Sequence, residues 1–190
     1  MEELLKNIYK ILLTLNATSP MVFVYLVQGE CWIPYIGAYS IFVYIVAMLL
    51  FTKICIWLQW IPQESSIEAG ISEISIATDG YMSVFMGYFF VALGIPKEDW
   101  RTFITVYIII NIFTWNSQTI YFNPLLYLWG YNFYELHTLK GTRVYVITKE
   151  KDIKGTEGLE FRALRKINEY TYMENNGLFI CKSKGQKKSL

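Results

Sequence analysis

Trp100–Tyr131, WRTFITVYIIINIFTWNSQTIYFNPLLYLWGY, decides how this chain reads. After Arg101 no formal charge occurs until Glu135, and the run is mostly Ile, Phe, Tyr, Val, Leu and Trp. About twenty apolar residues with few charges suffice to cross a hydrocarbon core of roughly 30 Å. Phe103–Tyr121 meets that condition. A helix carried on from Phe103 to Trp129 would measure about 40 Å, too long for one upright span. Asn123-Pro124 supplies the break, because proline has no N–H and biases the residue before it away from helix. Pro124–Trp129 is then expected to be a short interfacial turn. The chain before this stretch reads as membrane, and the chain after it reads as soluble.

Composition supports that division. The chain is 54% hydrophobic and 17% aromatic over 190 residues, rich for a soluble protein of this size. Residues 1–130 carry 5 Lys/Arg and 9 Asp/Glu, a net of −4, whereas residues 131–190 carry 12 and 7, a net of +5. The near-neutral total therefore hides an acidic membrane part and a basic C-terminal part. Cys31, Cys55 and Cys181 have no metal-site spacing and suggest no disulfide framework. The start, MEELLKNIYKILL, lacks a basic leader and a small-residue cleavage site, so it is expected to be retained.

Three further spans precede the decisive one. Ile8–Gln28 is the first, interrupted by Asn16-Ala17-Thr18-Ser19-Pro20. It is either one helix whose freed carbonyl is satisfied by a neighbour or a Ser/Thr side chain, or two short helices meeting at a bend. Asn16-Ala17-Thr18 matches a glycosylation sequon but is inaccessible inside a span. Gln28–Tyr35 is a connection, with Trp32 and Tyr35 suited to a headgroup interface. Ile36–Leu58 is the clearest second span, and its one charge, Lys53, sits near the end where it can snorkel. Pro62–Asp79 is polar and acidic, and its isoleucines suggest a short amphipathic piece lying against the membrane. Tyr81–Ile95 makes a short third span that thins the bilayer, begins near Ile76 or is shielded by partners. Gly80, Gly87 and Gly94 recur seven apart, and Ser83 with Gly87 makes a small-xxx-small pair, a face for close helix packing within or between subunits.

Residues 131–190 change character. YNFYELHTL and TRVYVIT flank Lys140-Gly141 as two strands of a hairpin. Leu159–Ile167 is ambiguous between strand and helix, and YTYME-NNG-LFICK repeats the hairpin signal around Asn175-Asn176-Gly177. So small a β domain barely buries a core of its own. Its aromatic residues, Tyr131, Phe133, Tyr134, Tyr145 and Tyr172 among them, exceed what one small core needs. Alternation puts Tyr131 and Phe133 on one face and Tyr134 on the other. The surplus face either meets a soluble partner or packs on the membrane part or a sister subunit.

Chemistry is scarce. No P-loop, dinucleotide fingerprint, nucleophile elbow, HExxH or paired CxxC occurs. The single histidine, His137, reads as structural, and no Asp or Glu falls in the middle of a span. Asn111, Trp115 and Gln118 recur at i, i+4 and i+7 on the fourth span, with Thr114 beside them. That polar face either bonds helix to helix or lines a water-filled path.

Gly87–Ile95 (GYFFVALGI) and Tyr121–Leu136 (YFNPLLYLWGYNFYEL), with the Lys140-Gly141 turn after them, resemble the KwaA membrane-protein family of the Kiwa anti-phage defence system. The likeness covers about half the chain and brings no catalytic residues with it. It implies a bacterial inner-membrane protein that assembles with itself, a tetramer being one such assembly, and with the soluble DNA-binding effector KwaB.

The expected fold is an α-helical integral membrane protein with four transmembrane helices (about 8–28, 36–58, 78–95 and 103–121) within a domain of residues 1–130. A small cytoplasmic, mainly β domain with a basic tail occupies 131–190. Basic residues after the last span place both termini in the cytoplasm. The expected function is that of a non-enzymatic membrane sensor and scaffold recruiting a KwaB-type effector. The alternative is a small oligomeric ion-conducting pore. No metal, cofactor or direct nucleic-acid contact is expected, and the lipid bilayer is itself a partner.

Overall fold

The first helix, α1 (Glu2–Gln28), is the axis of the helical half. The computed structural model describes residues 2–60, 64–67, 70–116, 123–151, 153 and 161–174. Its buried positions include Tyr9, Leu13, Ala17, Met21, Val24 and Tyr25, a spacing of three or four that lays one continuous stripe along a helix. Pro20 lies inside α1 without splitting it. Proline cannot donate to the Asn16 carbonyl, and the Ser19 hydroxyl does so instead at 2.7 Å. Of the two forms open from the sequence, the chain adopts the single helix.

Around α1 stand α2 (Ser40–Trp57), α3 (Thr78–Gly94) and α4 (Trp100–Asn116), each packed on it. A short 3-10 turn, Gly37–Tyr39, leads into α2. Two segments, Glu3–Gln28 and Gly37–Trp57, are long and apolar enough to cross a membrane. A helix in a soluble core is mostly buried, but only 17% of the apolar window in Gly37–Trp57 is covered. Phe42, Val46, Leu50, Ile54 and Trp57 all stand exposed along it. α3 and α4 present Phe90, Leu93, Ile108, Ile112 and Phe113 in the same way. Helix α3 begins near residue 78, so the third element starts earlier than the 15-residue apolar run. The fourth ends at Asn116 within the described residues.

After α4, α5 (Pro124–Leu128) forms where the sequence placed a turn. Proline sits at its first position, and the Asn123 side chain accepts from the Leu125 N–H at 2.9 Å, a standard N-cap. Gly130, at φ +81°, turns the chain out of this helix into the sheet.

The sheet departs from expectation. Pro62–Asp79 does not lie as an amphipathic piece on a membrane surface, because within it β1 (Glu64–Ile67) and β2 (Ile71–Ile76) join the C-terminal strands. Those are β3 (Asn132–Thr138), β4 (Arg143–Thr148), β5 (Phe161–Lys166) and β6 (Thr171–Glu174). The order is β1-β5-β6-β4-β3-β2, antiparallel except for the β4–β6 pair. The expected β3–β4 hairpin forms, and the ambiguous stretch is a strand. Strand β6 pairs with β5 and β4, while the hairpin expected around Asn175-Asn176-Gly177 lies outside the described residues.

Strands β1 and β2 are neighbours in sequence yet occupy opposite edges of the sheet. Four residue steps from Ile67 to Ile71 reach at most about 14 Å. Five strand spacings in a flat sheet would separate the edges by about 24 Å. The sheet must therefore curl until its edges approach, as an open barrel does. Its two faces behave accordingly. Tyr134, Leu136, Val144, Val146, Leu164 and Ile71 gather into one apolar cluster with Ile67 and Tyr172, so both edges reach it. The opposite face gives Tyr131, Phe133, Ile147, Ile167 and Met173, which pack with Tyr9 and Leu13 of α1, Cys55 of α2 and Leu126 of α5.

Two loops close the far end of the bundle. Lys97, between α3 and α4, donates to Glu30, between α1 and α2, at 2.8 Å. That bond, with the charge of Lys97, holds the Glu30 carboxyl below its ordinary range. A lowered carboxyl pKa stabilises the folded form above the unfolded-state value and loses that contribution as pH falls through the folded one. Wild type and Glu30→Gln should thus differ in thermal midpoint at neutral pH and converge below about pH 4.5. A difference that persists in acid would assign it to something other than this pair. Phe133→Ala should cost about 3–5 kcal/mol by opening a cavity where sheet meets helices. An unchanged midpoint in detergent would show that the docking cluster does not hold the two halves together.

Candidate functional site

A polar seam runs through the helices where the sequence showed only an interruption. Asn16 and Thr18, on opposite sides of α1, each reach a different helix. The Thr52 hydroxyl of α2 donates to Asn16 Oδ1 at 2.9 Å, with Asn16 and Thr52 both fully buried. Thr18 Oγ1 lies 3.2 Å from both Tyr107 Oη and Asn111 Oδ1 of α4. A hydroxyl has one proton, which Thr18 can give to Tyr107 Oη, to Asn111 Oδ1 or to the Thr14 carbonyl of its own helix at 3.1 Å. Asn111 Nδ2 donates to the Tyr107 carbonyl at 2.8 Å. Tyr88 of α3 meets Thr114 of α4 at 3.4 Å.

An aromatic column continues from this seam toward the far loops. Tyr107 stacks on Phe103, whose ring lies 4.0 Å from that of Tyr25 and nearly parallel to it. Trp100 meets Tyr25 edge-on at 5.0 Å. Met21, Val24, Ala92 and Ile95 fill the space around the column. Gln28 closes it by donating to the Leu93 and Ile95 carbonyls at the end of α3.

Asn111 and Trp115 share a face as their spacing predicts. Both line an open cavity of about 350 Å³ between α1 and α4, together with Ile11, Thr14, Leu15, Tyr107, Ile108 and Ile112. Gln118 lies outside the described residues. Asn16, Thr18 and Thr52 were missed as a site. The available signal was Thr14 and Thr18 one turn apart beside an amide, all in the charge-free part of the span after Lys10.

The glycine face, read as packing within or between subunits, is open toward the described residues of the chain. An added Cβ on Gly87 or Gly94 would meet nothing within 4 Å, and Ser83 is exposed. Of this face, the surroundings of Gly80 lie outside the described residues. The aromatic set is mostly interior: Tyr131, Phe133 and Tyr134 are at most 4% exposed, and Tyr145 and Tyr172 pack half-buried against the two clusters. Alternation sorted their faces correctly, and the face with Tyr131 and Phe133 is spent on the helices.

Around Tyr131 the electrostatics are local. Burial and the nearby Glu174 carboxylate push its phenol up to about 12. The Lys149 ammonium stands 5.0 Å from its ring centre. Glu174 accepts from the Thr148 hydroxyl and the Lys149 N–H, both at 2.7 Å, which fixes the end of β6 against β4. Among the described residues no three His, Cys, Asp or Glu side chains group closely enough to hold a metal ion.

A double-mutant cycle on Thr18→Val and Asn111→Leu should return a coupling of about 0.6 kcal/mol, and no more than about 1.7. Additive effects of the two substitutions on the thermal midpoint would show that the seam does not join α1 to α4.

No curated protein and no solved structure matches the chain significantly. The family profile of the anti-phage protein KwaA matches residues 9–173, from Tyr9 at the foot of α1 to Met173, its hydrogen-bond acceptor in β6. That span takes in the seam, most of α1 and, among the described residues, all or nearly all of each other helix and strand, and the chain belongs to the KwaA family of anti-phage proteins.

Proposed function

We propose that the chain is a four-span bacterial inner-membrane protein, with both termini and the curled sheet in the cytoplasm, that senses and scaffolds without chemistry of its own. It recruits a soluble DNA-binding effector of the KwaB type to the envelope. Family membership supports the anti-phage setting. The observation that carries the rest is the continuity of α1, one helix buried from the sheet-docking Tyr9 to Tyr25 near the far loops. At 1.5 Å per residue its 27 residues measure about 40 Å, long enough to cross the bilayer and enter the cytoplasmic half.

The four-span reading draws on levels. Asn16 opposite Thr52, and Leu12 opposite Cys55, set α1 and α2 antiparallel, which brings Lys10 level with Trp57. Lys53 reaches over the Trp129 ring at 5.4 Å near that level, as a snorkelling lysine would. Trp32, Tyr35, Tyr39 and Trp100 gather at the other end, all substantially exposed. Two aromatic belts on an apolar bundle suit two headgroup interfaces. Helices α3 and α4, about 25 Å each, are short for a typical core, so the bilayer thins around them.

The engaged amide of Asn111 favours helix-to-helix bonding over pore lining. Effector contact falls on the part of the sheet remote from the helices, where the β3–β4 turn leaves Leu139 74% exposed. Reporter fusions after Leu190 and within Pro96–Trp100 should read cytoplasmic and periplasmic. Co-expressed with a KwaB-type protein, the membrane-extracted chain should capture it, and Leu139→Asp with Lys140→Glu should reduce capture. Opposite fusion signals overturn the topology, and no capture by the unaltered chain overturns recruitment.

A further inference from the structure

The groove between α1 and α4 is open on one side and lined by Ile11, Leu15, Ile108, Ile112 and Trp115. If the bundle spans a bilayer as proposed above, that opening faces hydrocarbon. Its polar end is on the same ridge of α1. Lys6, Lys10, Thr14 and Thr18 succeed one another at four-residue intervals, and such i+4 rows form a continuous ridge. Thr18 meets α4 at the closed end and Thr14 lines the groove. Lys10 and Lys6 continue that row one and two turns beyond Thr14, toward the end of α1 that docks on the sheet. Lys10 is about 12 Å from Thr18 along the axis, enough for the upper half of an acyl chain.

Charge near this end is net basic. The charged neighbours of Lys10 are Lys6, Lys166 and Glu169. Lys166 and Glu169 pair with each other at 2.9 Å. Glu169 also feels Lys6 and Lys10, so three lysines share one carboxylate and the cluster keeps a net positive charge. The register above sets Lys10 level with Trp57, at headgroup depth, and Lys6 one turn further out. An apolar slot for a chain, capped at headgroup depth by two lysines, matches a phospholipid with an anionic headgroup.

We propose that the α1–α4 groove binds an anionic phospholipid of the inner leaflet, its acyl chain between Leu15 and Ile112 and its phosphate on Lys6 and Lys10. The bound lipid would fill the gap beside the polar seam and hold α4 on α1.

The test uses the full chain in neutral detergent, with added phosphatidylglycerol, phosphatidylcholine or soluble glycerol phosphate. Phosphatidylglycerol should raise the thermal midpoint by several degrees and survive as a one-to-one adduct in native mass spectra. The other two should do neither. Lys6→Gln with Lys10→Gln should abolish the shift, Ile112→Trp should abolish it by filling the slot, and Lys97→Gln at the opposite end should leave it intact. An equal shift with phosphatidylcholine overturns the proposal, as does a shift retained in the double lysine variant. An oligomer lost in Ile112→Trp while the lipid shift persists would assign the groove to a second copy. Carbonate-resistant membrane association is scored separately. A chain that stays in the membrane but shows no lipid selectivity defeats this inference alone.

Discussion

The sheet cannot cover itself on both sides, and that constraint organises the molecule. Its strands are apolar on two faces, so curling buries only one of them. The other must be covered by the ends of α1, α2 and α5, and the cluster from Tyr9 to Met173 is that cover. Every nearby feature serves this contact. Gly130, in a positive-φ conformation that favours glycine, lets Tyr131 enter the cluster immediately after α5. Glu174, buried and doubly hydrogen-bonded, locks the last described turn of the barrel beneath it. The sheet thus acts as a plug on the bundle and not as a tethered appendage.

Closure of the sheet depends on a segment that belongs by sequence to the helical half. Strands β1 and β2 come from between α2 and α3 and supply both edges. Gly70 lies between them, where a Cβ would come within 2.6 Å of Leu139, and its carbonyl accepts from the Leu139 N–H. A side chain there would need the exposed end of Leu139 to swing aside. Because the second and third helices are bridged through the barrel, a shift of either helix is carried to the strands. The chain crosses between halves at α2–β1, β2–α3 and α5–β3, which makes independent motion of the two halves costly.

How much of this was legible depends on the range of each signal. Helices were readable because apolar runs and their breakers are local, and Asn123-Pro124 marked α5 to within a residue. The β3–β4 hairpin was readable for the same reason, as was the sorting of Tyr131 and Phe133 from Tyr134. The placement of β1 and β2 was not. Their isoleucines in a polar, acidic context read as an amphipathic surface piece, and their partner β3 lies about 60 residues downstream. The resemblance carried by Gly87–Ile95 and Tyr121–Leu136 agreed with the family, yet neither stretch contains the seam residues on α1.

The decisive stretch of the sequence and the axis of the structure also differ, for a physical reason. Trp100–Tyr131 carries the longest charge-free run, after Arg101, and α4 within it exposes much of its surface, with Ile104, Ile108, Ile112 and Phe113 each about half exposed or more. A helix surrounded by other helices can instead carry amides and hydroxyls, provided each finds a partner. α1 does so through Asn16 Oδ1 and the hydroxyls of Thr18 and Ser19, and its lower mean hydropathy accompanies its central position. In a bundle with apolar surroundings, burial in protein and burial in hydrocarbon select different residues. The polar interruption of the first span was therefore the sign that α1 lies at the centre. The uninterrupted greasiness of the later helices was the sign that they lie outside it.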